Sequence, residues 1–143
     1  MVQTSASSSK GQSIPGKRIL VVDDEPFVCD AVRMMLTFDG HQVTTVTSGK
    51  DALKTLEAGV IDLVITDFAM PSMRGDELAV TIKSRWPGMP VVMITAYAEM
   101  LSSSNQLDGV DRLVSKPFML EDLRQAMNQA MTGRKNQPPN GGA

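Results

Sequence analysis

Short apolar runs alternate along this chain with helix-length stretches, and that alternation restricts the fold more than any other feature. The runs are Ile19-Leu20-Val21-Val22, Leu63-Val64-Ile65-Thr66, Val91-Val92-Met93-Ile94 and Leu113-Val114-Ser115. Continuous apolar runs of this length read as strands buried on both faces, the signature of a parallel sheet. A further strand, Gln42 to Val46, alternates less cleanly and is expected at a sheet edge.

Between the strands lie five helical patterns. The first starts near Pro26, a residue tolerated in a first helical turn, and presents Val28, Ala31, Val32 and Met35 as one stripe before Asp39-Gly40 ends it. Ser48 and Asp51 open the second like a capping box, and Ala52, Leu53 and Leu56 point inward before Gly59. Gly75-Asp76-Glu77 opens the third, which carries Leu78 and Ile82 and closes at Trp86-Pro87-Gly88. The fourth is read around Ala98 to Leu107, although Ser102-Ser103-Ser104-Asn105 are poor helix formers. The last spans about Leu120 to Met131 and buries Leu123, Ala126, Met127 and Ala130. Strand–helix repeats joined by right-handed crossovers lead to a doubly wound α/β fold with ligands beyond the carboxyl ends of the strands.

Composition sets outer bounds. The 143 residues suffice for one domain, and the net charge of −2 gives no reason to expect nucleic-acid or anionic-lipid binding. No apolar stretch approaches the ~20 residues of a membrane span. The polar segments 1–16 and 133–143 are expected to be disordered tails flanking a domain at 17–132, the second a tail or the start of a linker. A single cysteine, Cys29, fits a reducing cytoplasm and is read as a small core residue. His41, after Gly40, reads as a solvated turn residue, and Arg134-Lys135 is too short for a nucleic-acid patch.

Five polar residues stand at the strand ends: Asp23, Asp24, Asp67, Thr95 and Lys116. Singly each is ordinary, since acidic residues cap helices, threonine suits strands and lysine suits surfaces. Together at one sheet edge they form a divalent-metal and phosphoryl site. A hard cation such as Mg²⁺ takes oxygen ligands, typically one or two carboxylates plus phosphate oxygens. An aspartate can also attack phosphorus, and phosphoryl transfer needs chiefly positioning and neutralisation of oxygen charge.

Four motifs in order carry a family resemblance: Ile19-Leu20-Val21-Val22-Asp23-Asp24-Glu25, then Asp67-Phe68-Ala69-Met70-Pro71-Ser72-Met73-Arg74-Gly75-Asp76-Glu77-Leu78, then Ile94-Thr95-Ala96, then Lys116-Pro117-Phe118. Over residues 17–132 the chain resembles the receiver domains of bacterial-type two-component response regulators. The resemblance implies a flavodoxin-like (βα)5 fold with strand order 2-1-3-4-5. It implies that Asp67 accepts a phosphoryl group from a phosphohistidine of a sensor histidine kinase or phosphotransfer protein. Asp24, Asp67 and the backbone carbonyl of Ala69 would hold Mg²⁺, with Asp23 assisting through water. Lys116, ahead of a cis Pro117, would contact a phosphoryl oxygen, and Thr95 would turn toward the phosphoryl group. The fourth helix, fifth strand and fifth helix would then change to control a downstream output domain or protein, or a phosphorylation-dependent dimer.

Two departures stand out. Many receivers carry an aromatic residue three positions before the lysine; here Leu113 stands there, and the sole tyrosine is Tyr97. Ala69 has no side chain to steer an attacking water. Two other classes remain at this point: a Mg²⁺-dependent aspartyl phosphatase and a degenerate scaffold. Phosphatases of the haloacid-dehalogenase type place a general acid two residues after a first-strand nucleophile, whereas Ala69 follows Asp67 here. Whether the chain is a stand-alone receiver or part of a longer regulator with a linker from about Gly133 is open from sequence.

Overall fold

The computed structural model describes residues 15–104 and 107–132, with the side chains of 102–104 excepted. The elements run β1 Arg18–Val22, α1 Pro26–Phe38, β2 Gln42–Val46, α2 Gly49–Ala58, β3 Leu63–Asp67, α3 Gly75–Arg85, β4 Val91–Thr95, α4 Ala98–Ser104, β5 Arg112–Ser115 and α5 Leu120–Met131. All five strands are parallel in one sheet, ordered β2-β1-β3-β4-β5. This is the doubly wound α/β fold expected from the sequence, with β2 at an edge, and the strand order is the one the resemblance implies.

Strand alternation sends successive side chains to opposite faces. Ile19, Val21, Ile65, Val92, Ile94 and Val114 pack beneath α1 and α5. Leu20, Val22, Val64, Val91 and Met93 pack beneath α2 and α3. Because both faces are covered, alternation is invisible in the strand sequences. The register then aligns the carboxyl ends: Val22 lies opposite Thr66, Asp67 opposite Ile94 and Thr95 opposite Ser115.

Local expectations mostly hold. Gly40 follows α1 at φ +89, the left-handed conformation glycine adopts freely. Ser48 Oγ accepts from the Asp51 N–H at 3.1 Å, and Leu123, Ala126, Met127 and Ala130 form the buried face of α5. Cys29 is buried, as expected.

Three expectations need correction. In α1 the buried residues are Cys29, Val32 and Leu36, with Val28 and Met35 partly covered and Ala31 exposed. Apolar residues nearly surround this helix, so their spacing does not single out its inward face. The fourth helix is described over Ala98–Ser104, and Leu107 lies outside any helix. His41 is buried rather than solvated: its Nδ1 accepts from the Lys17 N–H at 3.0 Å. Burial pushes its pKa below the usual histidine range, an effect that Asp39 opposes and Lys17 assists. The expected tails at 1–14 and from 133 onward, with Arg134-Lys135, lie outside the described residues.

Candidate functional site: a carboxylate cluster at the strand ends

β1 runs into Asp23 and Asp24, and β3 ends on Asp67. Because these strands are neighbours, one ligand atom from each of Asp23, Asp24 and Asp67 lies within 4.8 Å of the others. Asp23 is 2 % exposed, Asp67 6 % and Thr95 1 %, whereas Asp24 is half-buried and open to solvent. Two nearly buried carboxylates and an accessible third therefore stand together at the strand ends.

Lys116, one residue beyond β5, joins the cluster. Its Nζ lies 2.8 Å from Asp67 Oδ1 and 3.7 Å from Asp23 Oδ2. Its backbone N–H donates to the Thr95 carbonyl at 2.9 Å, which ties the lysine to β4 as well. The peptide bond from Lys116 to Pro117 is cis. Burial alone would lower the lysine pKa, but the Asp67 hydrogen bond and charge, aided by Asp23 and Glu25, hold it above its ordinary value.

Asp23 shows the opposite stress. Burial, reinforced by the charges of Asp67 and Asp24, raises its pKa from 3.8 to about 6, against the Glu25 N–H and Lys116. The Glu25 N–H donates to Asp23 Oδ1 at 2.9 Å, so one carboxylate oxygen is anchored. One lysine does not compensate three carboxylates. Clustered hard oxygen donors carrying excess negative charge suit a small divalent cation such as Mg²⁺, and the donor set passes that chemical test.

Every side chain singled out in the sequence therefore reaches this one edge: Asp23, Asp24, Asp67 and Lys116 in the cluster, and Thr95 at the end of the adjoining strand. Ala69 sits exposed in the segment after β3.

Other features of the site were not legible. A Cβ on Gly75 would stand 2.1 Å from the Asp67 carbonyl oxygen, so the start of α3 packs directly on the Asp67 backbone. The Cys29 thiol donates to the Asp23 carbonyl at 3.3 Å. Phe68 and Tyr97 meet edge to face, with centroids 6.4 Å apart. Only the glycine carried a local signal, as the small residue opening α3.

Comparison with known proteins agrees with this geometry. The family model described as the response regulator receiver domain matches residues 19–128. The transcriptional regulatory protein TcrA of Mycobacterium tuberculosis is 35% identical over 111 residues, which are 77% of this chain and 44% of TcrA. GlrR of Escherichia coli, also a transcriptional regulatory protein, is 34% identical over 116 residues, 79% of this chain and 26% of GlrR. The chain thus spans less than half the length of either relative. Among solved structures, the response regulator TrrA of Thermotoga maritima, in complex with Mg²⁺ and BeF, is 34% identical. It has a TM-score of 0.70 and covers 80% of this chain and 98% of its own. A CheY-like receiver domain protein from Methanospirillum hungatei is 30% identical with a TM-score of 0.75, covering 83% and 96%. With the motif residues gathered at one sheet edge and the family match running through nearly all of the described residues, this chain belongs to the response regulator receiver domains of two-component systems.

Proposed function

We propose that the chain is a phosphorylation-dependent switch in which Asp67 accepts a phosphoryl group from a phosphohistidine of a sensor histidine kinase or phosphotransfer protein. The observation that carries this reading is the Asp67 carboxylate itself. It is nearly buried, held at 2.8 Å by Lys116, and shares a cluster with Asp23 and Asp24. The carboxylate oxygen forms a bond to phosphorus while the P–N bond breaks, and that bond's electron pair returns to the departing imidazole. Asp24, Asp67 and the Ala69 carbonyl are the residues assigned to hold Mg²⁺, with Asp23 acting through water. Bound Mg²⁺ supplies neutralisation and orientation of the phosphoryl oxygens. The complex of TrrA with Mg²⁺ and BeF supports that assignment by likeness.

Lys116 exchanges its Asp67 partner for a phosphoryl oxygen, and the Thr95 hydroxyl donates to another. The chain then catalyses only its own phosphorylation and dephosphorylation, in the cytoplasm. Its output runs through α4, β5 and α5 to an output domain or protein, or to receiver pairing. Among the described residues no helix is long and apolar enough to cross a membrane.

Incubation with Mg²⁺ and a small phosphodonor, followed by intact mass and site mapping, tests the proposal. One acid-stable, base-labile phosphoryl group on Asp67, absent in Asp67→Asn, is expected. Asparagine keeps the shape of the acceptor and lacks its anionic nucleophile. Modification of Asp67→Asn at the ordinary rate, or rapid turnover of diverse phosphomonoesters, would refute it.

A further inference from the structure

Leu113, at the place where the resemblance calls for an aromatic residue, packs against the core cluster beneath α2 and α3. The aromatic contact nearest the acceptor lies elsewhere. Tyr97 holds three connections at once. Its N–H donates to Thr95 Oγ1 at 2.9 Å. Its ring, on a residue half exposed to solvent, meets Phe68 at 6.4 Å and 74°. Its carbonyl accepts from the Leu101 N–H at 2.9 Å in the first turn of α4.

Phe68 is fixed just as firmly on the other side. It follows Asp67 directly, donates its N–H to the Ile94 carbonyl at 3.2 Å and accepts from the Gly75 N–H at 2.8 Å. The Arg74 guanidinium lies 5.5 Å from its ring centroid. A continuous set of contacts therefore runs from the neighbour of Asp67, through one tyrosine, to the start of α4.

We infer that Phe68 and Tyr97 form the aromatic switch of this chain: the pair holds the segment between β4 and α4 at rest, and release of Tyr97 from Thr95 and Phe68 carries the state of Asp67 into α4. This rests on the reading of Asp67 as phosphoacceptor. When the Thr95 hydroxyl turns to donate to a phosphoryl oxygen, Oγ1 leaves the Tyr97 N–H. That donor then seeks another partner, and the backbone that starts α4 moves with it. The ring has solvent on one side, so no core rearrangement opposes the motion. An edge-to-face pair is also of suitable strength for a two-state element: its loss shifts the balance about 2- to 10-fold, enough to bias the switch and too little to lock it.

Tyr97 is the only tyrosine, so 3-fluorotyrosine gives a single ¹⁹F resonance. Mg²⁺ with beryllofluoride, and a small phosphodonor in parallel with intact mass, set the modified state. The wild-type resonance is expected to shift on modification. In Phe68→Leu, which removes the ring and touches no reacting atom, the resting resonance should already lie part of the way there. Amide exchange at residues 98–101 should rise about 2- to 10-fold before modification. Tyr97→Ala, read by the same exchange, provides a second variant should Phe68→Leu fold poorly. Failure of Asp67 to be modified at all would remove this inference together with the reading beneath it. A wild-type resonance that stays fixed while Asp67 carries its phosphoryl group would overturn the inference alone. So would wild-type exchange at residues 98–101 in both variants.

Discussion

Gly75→Ala tests how the fold fixes Asp67, the proposed phosphoacceptor. A Cβ at this position would meet the Asp67 carbonyl oxygen at 2.1 Å, and the Asp67 carbonyl carbon and Phe68 Cα at 3.0 Å each. All three are backbone atoms, so no side-chain rotation relieves the overlap. Either the first turn of α3 or the end of β3 must move. α3 is held by the fully buried Leu78, Ala79 and Ile82, and β3 is paired on both sides. Overpacking typically costs about 1–3 kcal/mol, and a rigid backbone neighbour places this site toward the upper end. Alanine offsets about 0.5–1 kcal/mol of that through its helix preference over glycine. The expected net loss is therefore about 2 kcal/mol, read as a lower urea midpoint at unchanged slope. Because the displaced atoms belong to Asp67 and its neighbour, phosphorylation should slow as well. A shift of about 1 Å in a reacting group is worth up to about 10²-fold. Gly88→Ala is the control: nothing lies within 4 Å of its Cβ, so stability and phosphorylation should stay near wild type. Wild-type urea midpoint and phosphorylation rate in Gly75→Ala would refute the reasoning.

Three further outcomes follow from the site and its surroundings. Asp23 has a folded-state pKa of about 6 against 3.8, so folding takes up a proton between those values and the metal-free protein loses stability as the pH rises through them. The shift corresponds to at most roughly 3 kcal/mol, a figure that already contains the opposing attraction of Lys116. Asp23→Asn should flatten that slope in urea titrations with chelator present, and an unchanged slope would count against it. Lys116→Ala should retain Mg²⁺ binding by calorimetry, since the removed cation competes with the metal for Asp67, while phosphorylation no longer reaches α4 in hydrogen exchange. A large loss of metal affinity would give the lysine another role. Phe27 and Met34 are 67% and 72% exposed on α1, which begins two residues after Asp24. Phe27→Ser with Met34→Ser should slow transfer from a phosphohistidine protein several-fold and leave modification by a small phosphodonor unchanged. Equal slowing of both would place the effect in the site rather than in docking.

Where the chain's own chemistry is local, the sequence displays it. β1, β3 and β4 are buried on both faces, and that burial writes itself as unbroken apolar runs whose polar successors are the site residues. Where a residue's role is set by distant chain, the sequence is silent or misleading. His41 follows a helix-ending glycine and looks like a turn residue, yet Lys17, 24 positions earlier, donates to its ring. α1 hides its inward face because Phe27, Met34 and Phe38 are apolar on the outside.

The same distinction governs position 113. An aromatic residue missing from an expected register is a functional loss only if no other group in space reaches the Thr95 hydroxyl, to which the proposal gives the switching role. Tyr97 reaches Thr95 through its backbone N–H, and reaches the neighbour of Asp67 through its ring. A pattern of side chains along the chain does not record a backbone donor, nor a ring contact between two loops that follow different strands. On the proposal made above, the gap at Leu113 is legible in one dimension, whereas the Phe68–Tyr97 pair that would take its place is legible only in three. It follows that introducing an aromatic residue there, as in Leu113→Tyr, should sharpen the response little while Phe68 and Tyr97 are intact, and should matter more once Phe68→Leu has removed their contact.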